Sequence, residues 1–140
     1  DALLKTQAAN PAKAERFARS LGAWTAREDW TSILPAYSRC ARITRDIKES
    51  YPVDESVLVE NEERSLLASV RAAQARLAQN ADLDAALEAV RSMVPEINAF
   101  FDKVLVMAED EGLRKSRLGL LQSIVALVQP LADLSALEGF

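Results

Sequence analysis

The 140-residue chain contains no histidine and a single cysteine, Cys40. Without imidazole there is no Ser-His-Asp or Cys-His arrangement, no His-based metal site and no ordinary proton shuttle near neutral pH. One cysteine leaves no internal disulfide and no multi-cysteine zinc site. Glycine and proline are scarce, at four and five residues, and neither a Gly-rich phosphate loop nor a Walker-type lysine motif is present. No run of about 18 apolar residues exists, which excludes a membrane-spanning helix. The charged start, apolar core and cleavage site of a secretory signal are missing too, so the expected compartment is the cytoplasm.

What remains is a composition made for helices. The chain is 49% hydrophobic, rich in Ala, Leu, Glu and Arg, and has no alternating β-branched run. That favours an all-α fold and supports one adequate core. The reading is an antiparallel bundle of about six helices forming one domain over residues 10–140, with residues 1–9 the end of a preceding helix or linker. Asn10-Pro11 starts the first helix, with Ala14, Phe17, Ala18 and Leu21 inward as far as Gly22. Thr25-Ala26-Arg27-Glu28 fits a capping box for the next, and Pro35 is expected to break it. After the linker Tyr51–Asp54, an acidic helix places Leu58, Leu66, Leu67, Val70, Ala73 and Leu77 inward. Asp82 caps a short helix expected to stop at Met93-Val94-Pro95. A central helix follows, with Ile97, Phe100, Phe101, Val104, Leu105 and Ala108 on one arc, and then a helix carrying Leu113, Leu120, Leu121, Ile124, Leu127 and Val128. Gln129-Pro130 ends it.

The net charge is −4, which argues against indiscriminate binding to a phosphate backbone. The charge is uneven: residues 1–50 hold nine Lys/Arg against six Asp/Glu, and residues 51–100 hold four against nine. The strongest basic stripe is Arg39, Arg42 and Arg45, followed by Lys48, opposite an apolar arc of Tyr37, Cys40, Ala41, Thr44 and Ile47. Arginine's planar fork suits phosphate and base edges, and its face stacks on bases. The same stripe also fits a solvated helix face partly neutralised by Asp46 and Glu49. Lys13, Arg16 and Arg19 form a second ridge with the same two readings. On its arc Tyr37 reads as a core residue rather than a stacking platform, and Cys40 as a small buried hydrophobe.

Two acidic clusters, Glu60/Glu62/Glu63 and Glu109/Asp110/Glu111, invite metal or acid/base readings, but placement at positive helix starts accounts for both. No catalytic residue and no metal ligand is assigned. Arg117 projects from an apolar arc, so its guanidinium needs a partner. Asp102 on the preceding helix is the expected one. Alternatively, Arg117 opens onto an RNA groove with Arg114 and Lys103.

The stretch FFDKVLVMAEDEGLRKSRLGLL at Phe100–Leu121, with ADLSAL at Ala132–Leu137, resembles the C-terminal region of bacterial glycyl-tRNA synthetase beta chains. That region is similar to the helical DALR anticodon-binding domains. The resemblance covers roughly residues 30–137, and Tyr37-Ser38-Arg39-Cys40-Ala41-Arg42-Ile43 stands where the family carries Tyr-x-Arg-x-x-Asn-Ile. The chain departs by having Arg42 in place of that Asn, and Arg114-Lys115-Ser116-Arg117-Leu118 in place of Arg-x-Asn-Arg-Leu. The resemblance implies a non-catalytic tRNA-recognition module of a glycine–tRNA ligase. Its partners would be the glycine tRNA and a catalytic alpha subunit or region, with no DNA and no membrane. This domain itself would hold no cofactor, while the whole enzyme uses ATP and Mg2+. The tRNA-binding candidates are Arg39, Arg42, Arg45, Lys103, Arg114 and Arg117. The alternative function is a subunit-docking domain with little RNA contact, favoured by the acidic middle and the apolar second side of the central helix.

Overall fold

In the computed structural model, residues 3–4, 11–137 and 139–140 are described, with side chains from residue 14 onward. Among the described residues there are five α-helices: α1 (Pro11–Thr25), α2 (Trp30–Thr44), α3 (Asn61–Gln79), α4 (Leu83–Lys103) and α5 (Glu111–Val128). A two-residue antiparallel pairing joins β1 (Leu3–Leu4) to β2 (Ala132–Asp133), with Leu3 opposite Asp133. Leu3–Leu4 are therefore extended where a helix tail was expected, and the rest of residues 1–9 lies outside the described residues. No described helix is long and apolar enough to cross a membrane.

The count is five rather than six because neither interior proline breaks its helix. Pro35 lies within α2 and Pro95 within α4. Each removes one backbone hydrogen bond. Both face solvent, while Ile33, Leu34, Ala36 and Tyr37 around Pro35, and Met93 and Ile97 around Pro95, are buried. Packing of these flanks outweighs the missing bond. The expected capping box at Thr25 is also absent. Thr25 instead closes α1, its hydroxyl donating to the Gly22 carbonyl at 3.1 Å. Asp29 precedes α2, but its carboxylate is occupied by Arg27 at 2.8 and 2.9 Å.

α3 packs along α4, and α5 contacts α2, α3 and α4. The most enclosed element is α5, in which Ser116 through Leu121 are all buried. The expected central helix ends instead at Lys103, where α4 gives way to a loop. Leu105, expected in the core, is 71% exposed, while Val104, Val106 and Ala108 of this loop are buried. Asp82 and Asp110 cap α4 and α5, accepting from the Ala85 and Leu113 amides at 2.8 Å each.

One face of α5 is the seat of the linker from α2 to α3. Gln122 accepts from the Tyr51 amide at 2.9 Å and donates to the Glu49 carbonyl at 2.8 Å, and the Ser116 hydroxyl accepts from the Asp54 amide at 3.0 Å. Between them sits Gly119, where an added Cβ would lie 2.5 Å from the Tyr51 carbonyl oxygen. The backbone cannot yield there without losing the flanking bonds. Gly119→Ala is expected to destabilise the domain by about 1–3 kcal/mol in thermal or denaturant unfolding, the usual scale of overpacking. Gly22→Ala, with nothing within 4 Å of its added Cβ, should be neutral or gain up to about 1 kcal/mol.

Candidate nucleic-acid interface

The helical spacing of α2 puts Tyr37, Cys40 and Thr44 in the core and leaves Arg39, Arg42 and Arg45 exposed. The two arcs match the sequence reading. Burial pushes the Cys40 thiol up to about 12, so it stays protonated and unreactive. Burial likewise raises the Tyr37 hydroxyl above its ordinary value.

The three arginines do not share one environment. The Arg39 guanidinium lies 4.2 Å from the centroid of the Phe101 ring, a cation–π contact that fixes its plane. Arg42 lies 6.0 Å over Phe140. Arg42, Arg45 and Lys48 together line a groove of about 570 Å3, whose other sides come from the end of α5, from residues 132–135 and from Phe140. The row therefore borders an aromatic surface at Phe101 and a cationic groove farther along. None of the three arginines has a carboxylate partner within salt-bridge distance among the described residues.

The second group of candidates serves the fold. Arg117 is only 5% exposed and pairs with Glu63, which is fully buried. Its Nε donates to Glu63 Oε2 at 2.9 Å, Nη2 to Oε1 at 3.3 Å, and Nη1 to the Leu105 carbonyl at 2.6 Å. Glu63 Oε1 also accepts from the Val59 and Glu60 amides at 3.1 and 2.8 Å. The expected pairing with Asp102 is thus corrected: Asp102 is exposed, and the partner comes from the start of α3 rather than from the neighbouring helix. Arg114 is half-buried and donates to the Ala108 and Glu109 carbonyls at 3.1 and 3.3 Å, tying down the loop before α5. Lys103 is exposed at the end of α4.

Glu63 and Phe140 escaped the sequence reading. Glu63 carried a signal, since Glu63, Leu66, Leu67 and Val70 recur at helical spacing and place its carboxylate on the apolar arc. Phe140 carried none, because its contact with Tyr37 spans most of the chain.

Burial pushes the Glu63 carboxyl up, but hydrogen bonds from Arg117, Glu60 and Val59 and the Arg117 charge outweigh it, holding the pKa below its ordinary 4.5. A folded-state pKa below the unfolded one gives stability that is complete above the unfolded value and lost as pH falls through the folded one. Glu63→Gln should therefore cost about 3–5 kcal/mol at pH 7, because Arg117 is left buried and uncompensated. It should also reduce the loss of stability between pH 5 and pH 3, measured by urea unfolding. Asp102→Asn should change neither.

The sequence profile of the DALR anticodon binding domain matches residues 33–135. The chain is 38% identical over 123 residues to the glycine–tRNA ligase beta subunit of Moorella thermoacetica, covering 85% of this chain and 18% of that protein. It is 35% identical over 143 residues to the glycine–tRNA ligase beta subunit of an Anaeromyxobacter species, covering 99% of this chain and 20% of that protein. To the chloroplastic/mitochondrial glycine–tRNA ligase 2 of Arabidopsis thaliana it is 34% identical over 133 residues, 94% of this chain and 12% of that protein. The chain thus spans a fifth or less of the length of these relatives. The profile match extends over well more than half of the 140 residues, from the arginine helix through α5 to β2, and the chain belongs to the DALR anticodon binding domain family.

Proposed function

We propose that this domain binds the anticodon region of the glycine tRNA within a glycine–tRNA ligase beta subunit, with the α2 face of Arg39, Arg42 and Arg45 as its contact surface. The observation that carries the reading is that these three guanidiniums are exposed and free of carboxylate partners among the described residues, on a member of an anticodon-binding family. Arg117 has Nε, Nη1 and Nη2 engaged by Glu63 and the Leu105 carbonyl, and Arg114 has Nη1 on the Ala108 and Glu109 carbonyls, which favours structural roles for both. Lys103 stays as a peripheral contact.

A loop of RNA presents splayed bases and a turn of phosphates, and arginine meets both. The net charge of −4 keeps the domain from holding RNA without guidance, so a local cationic face is the feature that orients it. The ATP- and Mg2+-dependent transfer of glycine belongs, in this reading, to a catalytic alpha subunit or region outside this chain. The domain contributes binding energy remote from the reaction, which helps to place the acceptor end of the tRNA.

A second role, docking against the rest of the ligase, is favoured by one observation. Val59, Leu105 and Met107 are 60%, 71% and 58% exposed, and the Glu63–Arg117 pair anchors the backbone at both Val59 and Leu105. An ordered apolar surface of this kind suits a protein partner.

Changing Arg39, Arg42 and Arg45 together to Ala should weaken binding of glycine tRNA and lower the slope of log affinity against log salt by about two, at about 0.7 per phosphate contact for three contacts. An unchanged affinity and slope would remove the α2 face from the interface. Leu105→Glu with Met107→Glu should leave tRNA affinity intact and disrupt assembly with the alpha subunit in size-exclusion chromatography. Intact assembly would dismiss the docking role.

A further inference from the structure

The groove beside Arg42 and Arg45 has more in it than attraction to phosphate requires. Arg42, Arg45 and Lys48 make one wall cationic. Val125 and Ala126 of α5 and the ring of Phe140 make an apolar side. Phe140 meets the buried Tyr37 ring edge-on, with centroids 6.2 Å apart and planes at 72°. Its position is set by a turn: Gly139 adopts φ +91°, a conformation that disfavours any side chain, and the Phe140 amide donates to the Leu137 carbonyl at 3.2 Å. With a volume of about 570 Å3 the groove falls within the roughly 300–1,000 Å3 of sites that hold a small organic ligand, and one nucleotide is of that size.

The signs of charge in the groove narrow the ligand. Glu49 and Asp133 line it together with the three cations. Three cations against two carboxylates leave only a small positive excess, which suits a ligand with one phosphate better than a polyanion. A nucleotide uses both signs, with phosphate toward Lys/Arg and the amino or imino edge of a base toward carboxylate oxygens. Gln122 is not available for base reading, since its amide is spent on Tyr51 and Glu49. Gln129, exposed at the end of α5, is the amide within reach.

We infer that this groove takes one unstacked nucleotide of the bound RNA loop, with its base against Phe140 and Arg42 and its phosphate between Arg45 and Lys48. The inference rests on the RNA-binding reading above and deepens it. Phe140 becomes the stacking residue, and the α2 arginines supply the phosphate contacts on either side. Base–aromatic stacking tolerates any base, so selectivity falls to the polar edges at Gln129 and Glu49, since the Asp133 carboxylate already accepts from Ser135.

The test uses the full-length protein and the anticodon stem-loop of the glycine tRNA, carrying 2-aminopurine at each loop position in turn. One position should change its fluorescence on binding. Phe140→Ala should abolish that change and weaken binding roughly tenfold or more, the size of one base–aromatic stack. Phe140→Trp should retain both, which separates stacking from a loss of fold; melting curves of the two variants give the same control. If Phe140→Ala binds as tightly as wild type with the same signal at every position, the groove is not a base site, although the α2 reading stands. If the wild-type protein fails to bind the stem-loop, the RNA reading itself fails. Free CMP and AMP form a separate arm. Micromolar, Phe140-dependent binding of either would assign the groove to a free nucleotide and overturn its assignment to an RNA loop.

Discussion

A guanidinium enclosed by a small helical core has to be met by a carboxylate, and in this domain that demand joins three segments distant in sequence. Arg117 of α5 holds Glu63 at the start of α3 and the Leu105 carbonyl in the loop after α4. Glu63 in turn accepts the Val59 and Glu60 amides, which otherwise lack partners at the start of a helix. The pair is buried, so its parts are costly to separate even though the pair as a whole adds little over an apolar replacement. Its value is register. It fixes where α3 begins, where α4 ends and how α5 passes between them.

Around that tie, α5 works as the axis of the bundle. It is buried on most of its circumference, and the face not covered by helices receives the linker through Ser116, Gly119 and Gln122. The Ser116 hydroxyl accepts from the Asp54 amide and so holds the start of the α3 approach on α5. With α5 and the linker fixed, the groove lies between the end of α2 and residues 132–135 with Phe140. The proposed RNA surface is therefore a consequence of packing on its inner side and of exposed arginines on its outer side.

Features carried by local periodicity were legible in the sequence. The inward arc of α2, the outward Arg39, Arg42 and Arg45, the cap at Asp82, the helix-start placement of Glu109, Asp110 and Glu111, and the stop at Gln129-Pro130 all follow from spacings within one or two turns. Features decided by contacts across the chain were less legible. Pro35 and Pro95 look like breaks to any local rule, yet buried neighbours carry each helix through. Asp102 was the acid on the preceding helix, whereas Glu63 lies 54 positions away. Leu105 falls on the right arc for a helix that in fact ends two residues earlier. Phe140 acquires its place only through its ring contact with Tyr37, more than 100 positions earlier.

The central claim is a division of labour among arginines, with Arg117 inside for architecture and Arg39, Arg42 and Arg45 outside for RNA. The most direct measurement is tRNA affinity in the double variant Glu63→Gln, Arg117→Met, which removes both charges together and keeps an acceptor for the Val59 and Glu60 amides. Such a replacement leaves no uncompensated buried charge, so the fold should survive. Glycine-tRNA affinity should stay within about twofold of wild type, since the proposed binding surface lies away from the pair. A well-folded double variant that has lost tRNA binding would contradict that claim and return Arg117 to the interface.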